Sequence, residues 1–195
     1  MRVIALNGSP RVVGNTSNIV MEFLDLLNRD GIETEQVQLY GYDLTPCNDC
    51  RTCEMRGDGR CNDEYDGFND LLGRLRAADG VLLASPGYAG AATGVMRLFL
   101  ERAQLTLAVG DKALRGKVGA AISVSAHDGA ESAYGELCRW MLMNEMLVVG
   151  SHPLPVFRAL NSPQYGEDKG AMRGLECLAR NMSWAMRGLA GERER

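Results

Sequence analysis

The chain of 195 residues is predicted to fold as one α/β domain, a doubly wound five-stranded parallel sheet with helices on both faces. Two observations favour this class. Short apolar runs rich in β-branched and aliphatic residues recur along the chain, as in strands buried on both faces. Segments with helical periodicity separate them, and right-handed crossovers put such helices on both faces of the sheet. The strand order 2-1-3-4-5 is common for five strands.

The predicted strands differ in how completely they are covered. The first, third and fourth runs are apolar throughout, as expected of central strands. The second alternates Val37 and Leu39 with Gln36 and Gln38, which indicates less complete cover. In chain order the strands are Arg2–Leu6, Ile32–Tyr40, Gly80–Ala84, Lys117–Val124 and Met146–Val149.

Five segments carry apolar residues at the i, i+3 and i+4 spacing of a helix. Gly31 follows the first of them in a C-terminal capping position. In chain order the first three run from about Gly14 to Asn28, from Asp66 to Ala78 and from Thr93 to Leu107. The fourth contains Tyr134 to Met141, and the fifth runs from Gly170 to Leu189. Residues 1–190 are predicted to form the single domain, with a cysteine-rich loop at 45–65, and residues 191–195 a tail that frays.

Composition narrows the class of protein. Hydrophobic residues make up 46% and charged residues 24% of the chain, as in ordinary globular domains. The net charge of −4, with both signs mixed throughout, favours neither a nucleic acid nor an anionic membrane as partner. We expect no signal peptide and no membrane span, because the apolar runs are too short. The six cysteines are therefore expected in a reducing cytoplasm.

A strand, a loop rich in glycine and hydroxyl groups, and a helix follow one another between Arg2 and Ser17. Unpaired N–H groups and the positive end of the helix dipole suit a phosphate there. The alternative is that Asn15, Thr16 and Ser17 only cap the helix, but several donors around one turn exceed what a cap needs. The loop has neither Walker A nor G-x-G-x-x-G spacing, which leaves a mononucleotide as the common case.

The sequences GSPR and GNTS resemble the phosphate loop of the flavodoxin-like NADPH-dependent FMN reductases and their iron–sulfur flavoprotein relatives. The resemblance implies a flavodoxin-like fold and an FMN phosphate held by Ser9, Arg11, Asn15, Thr16 and Ser17. The loop SPGYAGAATG resembles the second FMN loop of that family, although alone it would pass for a turn-rich connection. This likeness implies that the isoalloxazine is lined by Pro86, Gly87, Tyr88, Ala89 and Gly90.

A third loop, Ser125 to Ala130, matches the family's glycine-rich flavin-edge loop only at Gly129. His127 lies in it. A lone histidine in a loop is expected to be exposed, and the alternative is donation to the flavin or to a substrate.

Four cysteines follow the spacing C-x2-C-x2-C-x7-C, namely Cys47, Cys50, Cys53 and Cys61. Four thiolates can hold a 4Fe-4S cube or a tetrahedral zinc ion, and three cysteines in such close succession favour the cube. The iron–sulfur flavoproteins carry a similar compact motif, which implies a cluster. The loop leaves the carboxyl end of the second strand, beside the first strand and its phosphate turn, so we expect the cluster close to the flavin. A neighbouring subunit is one way to complete this approach. The alternatives are zinc and four free thiols over the flavin. Cys138 and Cys177 are expected to be packing residues on helices.

These features predict an FMN-dependent oxidoreductase of the iron–sulfur flavoprotein type, which moves electrons between a 4Fe-4S cluster and FMN. One alternative is a NAD(P)H-dependent FMN or quinone reductase without a cluster, and another is a non-enzymatic, zinc-stabilised flavin-binding module. The flavin is the electron-transfer centre, so no catalytic side-chain acid–base pair is required. The resemblance implies a small-molecule or ferredoxin-type electron donor or acceptor and a homodimer or homotetramer.

Overall fold

The computed structural model describes residues 1–193 and contains a seven-stranded sheet with helices on both faces. The strands are β1 (Arg2–Asn7), β2 (Glu33–Gln38), β3 (Gly80–Tyr88), β4 (Ala91–Ala92), β5 (Val118–Ser125), β6 (Leu147–Val148) and β7 (Val156–Arg158). The helices are α1 (Asn15–Arg29), α2 (Thr52–Arg56), α3 (Phe68–Ala77), α4 (Gly94–Val109), α5 (Ala130–Met143) and α6 (Lys169–Arg193).

The strand order β2-β1-β3-β5-β6 confirms the predicted fold class. All pairs along this path are parallel, and β4 adds only a short antiparallel hairpin to β3. With β4 set aside, the order is the predicted 2-1-3-4-5. The sheet therefore grows to one side from β1 to β2 and to the other side from β3 onward. Between β1 and β3, where the strand order reverses, a crevice forms beyond the carboxyl ends of the strands.

The fifth sheet position holds two short strands instead of one. β6 pairs with the start of β5, at Val118 and Gly119, while β7 pairs with its end, at Ser123 to Ser125. The predicted strand Met146–Val149 corresponds to β6 alone. β7 has three residues, which is too short for a periodic signal, so it was not predicted.

The sheet separates two apolar cores because side chains alternate along each strand. In β1, Ile4 and Leu6 face the core covered by α3, α4 and α5, whereas Val3 and Ala5 face the core covered by α1 and α6. All four side chains are fully buried. Burial on both faces explains the continuous apolar runs of the central strands.

β3 continues four residues beyond its predicted end at Ala84. Ser85 and Pro86 still pair with β5, and Gly87 and Tyr88 pair with β4. The two residues that join β3 to β4, Ala89 and Gly90, both have positive φ (50° and 77°), as a tight two-residue hairpin turn requires. The sequence Ser-Pro-Gly-Tyr was predicted as a turn, but cross-strand pairing holds it extended.

The closing helix is longer than predicted. α6 extends to Arg193, and the last two residues of the expected tail lie outside the described residues. Within residues 1–193, no helix combines the length and the apolar character needed to cross a membrane.

Candidate functional site

A cavity of about 260 Å³ lies beyond the carboxyl ends of β1, β3 and β5. Three loops meet there, as expected of a doubly wound sheet. Seven of the predicted flavin-site residues line the cavity: Ser9, Arg11, Asn15, Thr16, Pro86, Gly87 and Tyr88. The remaining lining comes from the end of β5, from the loop that follows it and from the segment after β7, namely Val124, Ser125, Ala126, His127, Asp128 and Leu160.

Hydrogen bonds inside the first loop fix its shape. The buried Asn7 side chain accepts from Ser9 N over 2.9 Å and donates Nδ2 to Ser17 Oγ over 2.9 Å. Ser17 Oγ donates in turn to the Arg11 carbonyl over 3.0 Å. Ser17 therefore shapes the loop from beneath and does not line the cavity, and Asn7 is a supporting residue that the sequence did not reveal.

The N-terminus of α1 faces this cavity without a side-chain cap. Its N-cap residue is Gly14, which has no side chain, so the first backbone N–H groups remain available for a ligand. Asn15 Oδ1 is one of two buried side-chain atoms in the described residues that have no hydrogen-bond partner. An acceptor of this kind suits a sugar hydroxyl, and the opposite amide orientation would offer a donor to a phosphate.

Arg11 supplies positive charge at the cavity. Its side chain is exposed and, within the described residues, forms no ion pair with a carboxylate. An uncompensated guanidinium beside a helix N-terminus favours an anionic ligand. The first loop thus fits a phosphate ester that also carries hydroxyl groups.

Thr93, just before α4, ties the second loop to the first. Its Oγ1 donates to the Gly8 carbonyl over 2.6 Å, and its backbone N–H donates to Ser85 Oγ over 3.0 Å. All of these groups are buried. The two loops that line the cavity are therefore held at a fixed separation.

Glycine permits the second and third loops to touch. A Cβ at Gly87 would lie 2.7 Å from the Gly129 carbonyl, and a Cβ at Gly129 would lie 3.1 Å from Gly90 Cα. Gly129 also has φ of +95°, which disfavours other residues. Ala89 and Gly90 form the hairpin tip and Gly129 packs against it, so these three predicted residues support the cavity without lining it.

Two apolar side chains that line this cavity are exposed. Tyr88 is 47% exposed and Leu160 is 54% exposed. His127 lies at the mouth and is exposed, as predicted for a lone loop histidine. Leu160 was not predicted because β7, which brings it to the cavity, carried no periodic signal.

The four cysteines of the C-x2-C-x2-C-x7-C motif line a second cavity of about 340 Å³. The loop that carries them contains α2, which has no buried residue. The C-terminal half of α4 contributes Arg102, Leu105, Thr106 and Val109 to the same cavity. The four thiols are free, and Cys50 is the exposed one among them.

Arg102 anchors both ends of this loop to α4. Its guanidinium is 2% exposed and ion-paired with Asp66, whose carboxylate also accepts from Thr45 N over 3.1 Å. Arg102 Nη1 donates to the Thr45 carbonyl over 3.2 Å, and the guanidinium stacks on the Phe68 ring, 4.2 Å from its centroid. A charged residue on an apolar helix would ordinarily be assigned to its solvent face, so Arg102 was not predicted.

Both the backbone and the sulfur of Cys61 are held by hydrogen bonds. Asn69 binds its backbone, accepting from Cys61 N over 2.9 Å and donating to Cys61 O over 3.0 Å. Arg102 donates to Cys61 Sγ from Nε over 3.2 Å and from Nη2 over 3.1 Å. Cys61 is therefore the most firmly placed of the four thiols.

The four cysteine thiols that line this cavity match, in number and in chemical type, the ligands of a tetrathiolate centre. Partial burial raises the pKa of the Cys53 thiol, and electrostatic interaction with Cys61 and Cys47 raises it further. These three thiols are therefore close enough to interact. In residues 1–193, however, no three His, Cys, Asp or Glu side chains form a group arranged to hold a metal ion. Side-chain or loop movement is needed to bring the sulfurs together.

Within the described chain, no residue lines both the cysteine cavity and the cavity beyond β1 and β3. Thr93 lies beside the cavity beyond β1 and β3, and Arg102 lines the cysteine cavity. At 1.5 Å per helical residue, these two residues lie about 14 Å apart along α4.

Comparison with known proteins identifies the family. The sequence profile of the NADPH-dependent FMN reductase family matches residues 1–157, which include both cavities except Leu160. An iron–sulfur flavoprotein of Methanocaldococcus jannaschii is 35% identical over 154 residues, which are 78% of this chain and 77% of that protein.

Two solved structures share the fold. RosB with the bound intermediate 8-demethyl-8-formylriboflavin-5'-phosphate has a TM-score of 0.76 at 21% identity, covering 98% of this chain and 81% of RosB. A flavodoxin from the domain Archaea has a TM-score of 0.62 at 17% identity, covering 96% of this chain and 99% of the flavodoxin. The fold is thus flavodoxin-like, as predicted.

Proposed function

This chain belongs to the NADPH-dependent FMN reductase family and is an FMN-dependent oxidoreductase, and from this premise we propose that it is of the iron–sulfur flavoprotein type. In this proposal it moves electrons between FMN and a 4Fe-4S cluster held by the cysteine loop. The observation that carries the proposal is the set of four thiols around one cavity.

We place FMN in the cavity beyond β1, β3 and β5. The N–H groups of the first turn of α1, with Thr16 and Arg11, would hold its phosphate, and Asn15 would bind the ribityl chain. Tyr88, with Pro86 and Gly87 on β3, would line the isoalloxazine. Bound FMN supplies the electron-transfer chemistry, and the protein supplies its position and electrostatic surroundings.

The ligands proposed for the cluster are Cys47, Cys50, Cys53 and Cys61. A loop of this length brings them all to one cavity, so they would serve one centre. Arg102 and Asn69 already hold Cys61 in place. The other three thiols belong to a segment with little buried surface, which leaves them free to move toward a shared centre.

A specific observation favours a second candidate, a NAD(P)H-dependent FMN or quinone reductase without a cluster. The thiols are not in coordinating positions, and the cysteine cavity is separate from the proposed FMN cavity within one chain. In this candidate the electrons would come directly from NAD(P)H, and the four cysteines would remain reduced thiols.

The metal and flavin content of anaerobically purified and reconstituted protein distinguishes these candidates. The iron–sulfur proposal predicts about four iron atoms per FMN, with visible absorbance and an electron paramagnetic resonance signal on reduction. Cys53→Ser should abolish both signals while FMN stays bound, and Cys138→Ser on α5 is the matched control that should keep them. Wild-type protein that holds FMN but no iron, and oxidises NAD(P)H, would establish the reductase without a cluster.

A further inference from the structure

We propose that Arg102 is a positioning residue for the thiolate-bound centre and that its two N–H donors to Cys61 Sγ raise the reduction potential of that centre. The inference rests on the proposed 4Fe-4S cluster. It concerns a residue outside the cysteine motif, on a helix that the motif does not include.

The guanidinium is oriented by partners other than the sulfur. Nη1 is directed at Asp66 and at the Thr45 carbonyl, which is 3.2 Å away, and the guanidinium lies over the Phe68 ring. Nε and one Nη2 donor then point to Cys61 Sγ, at 3.2 and 3.1 Å. Contacts that do not involve the sulfur thus set the direction of these donors.

The carboxylate of Asp66 fixes this orientation. It pairs with Arg102 and also accepts from the backbone N–H groups of Thr45 and Phe68, each over 3.1 Å. These backbone hydrogen bonds fix the Asp66 carboxylate, so the Arg102 guanidinium that pairs with it has one favourable position. Lysine in place of Arg102 would keep a positive charge but would lose the planar fork that reaches Asp66 and Cys61 together.

Hydrogen bonds to ligating sulfurs are one means by which a protein sets the potential of an iron–sulfur centre. One-electron reduction adds a negative charge to the centre and its thiolates. Donors and a buried cation at Cys61 Sγ stabilise that reduced form more than the oxidised form. Removing them should therefore move the potential to more negative values.

The test is a redox titration of anaerobically reconstituted protein, monitored by the electron paramagnetic resonance signal of the reduced centre, with dithionite as the reductant. We expect the potential to fall from wild type to Arg102→Lys and further to Arg102→Met. Arg97→Met is the matched control, because Arg97 lies on the same helix, is 60% exposed and pairs with Glu136, away from the cysteines. Its potential should equal that of wild type.

Asp66→Asn distinguishes tuning from mere support of the loop. This variant weakens the loop base but keeps an amide oxygen that can accept from Arg102, so the donors to Cys61 Sγ remain while a negative charge is removed. The potential should therefore rise, whereas loss of support alone would move it in the same direction as Arg102→Met. Arg102→Lys carries the measurement if Arg102→Met loses its iron. Unchanged potentials in fully loaded Arg102 variants would overturn this inference and leave the proposed function standing. Wild-type protein with FMN but without iron would overturn both.

Discussion

Thr93 Oγ1 donates a hydrogen bond of 2.6 Å to the carbonyl oxygen of Gly8, and this contact joins the two loops on either side of the proposed FMN cavity. Both groups are buried. A Cβ at Gly8 would lie 2.9 Å from the same Thr93 hydroxyl, so the close approach requires glycine on one side and a hydroxyl on the other.

Thr93→Val should lower the free energy of unfolding by about 1–3 kcal/mol, because it leaves the buried Gly8 carbonyl without its partner. FMN binding should weaken as well, since the two loops are no longer held together. Urea denaturation and flavin fluorescence titration measure the two effects. Thr93→Ser retains the hydroxyl and is the control that should restore both, and a Val variant as stable as wild type would contradict the linking role.

Thr16 and Ser17 should respond differently to substitution, although both are predicted phosphate-loop residues. Thr16 lines the cavity, so Thr16→Ala should weaken FMN by about tenfold or more, the loss expected for a hydrogen bond to a charged group, and riboflavin much less. Ser17 Oγ is engaged with Asn7 and Arg11, so Ser17→Ala should lower stability and weaken both ligands. Equal losses of FMN and riboflavin in Thr16→Ala would move the phosphate elsewhere.

Tyr88→Ala should change the absorption spectrum and the reduction potential of bound FMN without changing the fold. The side chain is half exposed on the β3–β4 hairpin, and the backbone pairing with Ala91 does not depend on the ring. Circular dichroism checks the fold, and Tyr88→Phe, which keeps the ring, should stay close to wild type. Flavin properties that do not change in Tyr88→Ala would return this residue to an ordinary surface position.

The protein should be at least a dimer when FMN is bound. Tyr88 and Leu160 leave apolar surface exposed at the cavity, and a flavin site normally buries most of its ligand. A second copy of the chain would cover that surface. Light scattering at micromolar concentration tests this, and a stable monomer that retains its FMN would refute it.

Asp66 should make the stability of the cysteine loop dependent on pH. Burial acts to raise the pKa of this carboxyl, but hydrogen bonds from Arg102 and from the backbone N–H groups of Thr45 and Phe68 outweigh it and hold the pKa below its usual range. A lowered pKa means that the stabilisation is fully present above the unfolded pKa of about 3.9 and is lost as the pH falls through the folded value.

The measurement is the difference in unfolding free energy between wild type and Asp66→Asn. At neutral pH the difference should be about 3 kcal/mol, because a buried cation loses its partner. It should shrink as the pH falls from about 4, the unfolded pKa, towards the lower pKa of the folded carboxyl, below which the wild-type group is also neutral. Since other carboxylates contribute equally to both proteins, they cancel. A difference that does not vary with pH would contradict this role of Asp66.

The parallel core and the first loop could be predicted because their signals are local. Buried central strands must be apolar throughout, and the apolar periodicity of the segment after β1 predicts its helix. The hairpin of β3 and β4 could not be predicted in this way. Ser85 to Tyr88 reads as a turn, and only pairing with β5 and β4 keeps it extended.

Arg102 shows why part of the site depends on tertiary structure. Its partners Thr45, Cys61 and Asp66 lie 36 to 57 positions away along the chain. Nothing in the neighbouring sequence distinguishes it from Arg97, five residues earlier on the same helix, which is exposed. The role of Asn7 is hidden for a related reason. At the end of a strand it resembles any turn residue, and only the folded loop brings its side chain to Ser9 and Ser17.

The two apolar cores lie away from Cys47, Cys50 and Cys53, and only Cys61 packs against one of them. Both cores are therefore complete without these three side chains, and the fold of the domain does not depend on the cluster that we propose for the loop. If the loop holds that cluster, iron would be inserted after folding. The supply of iron would then set the active fraction of protein that has already been made.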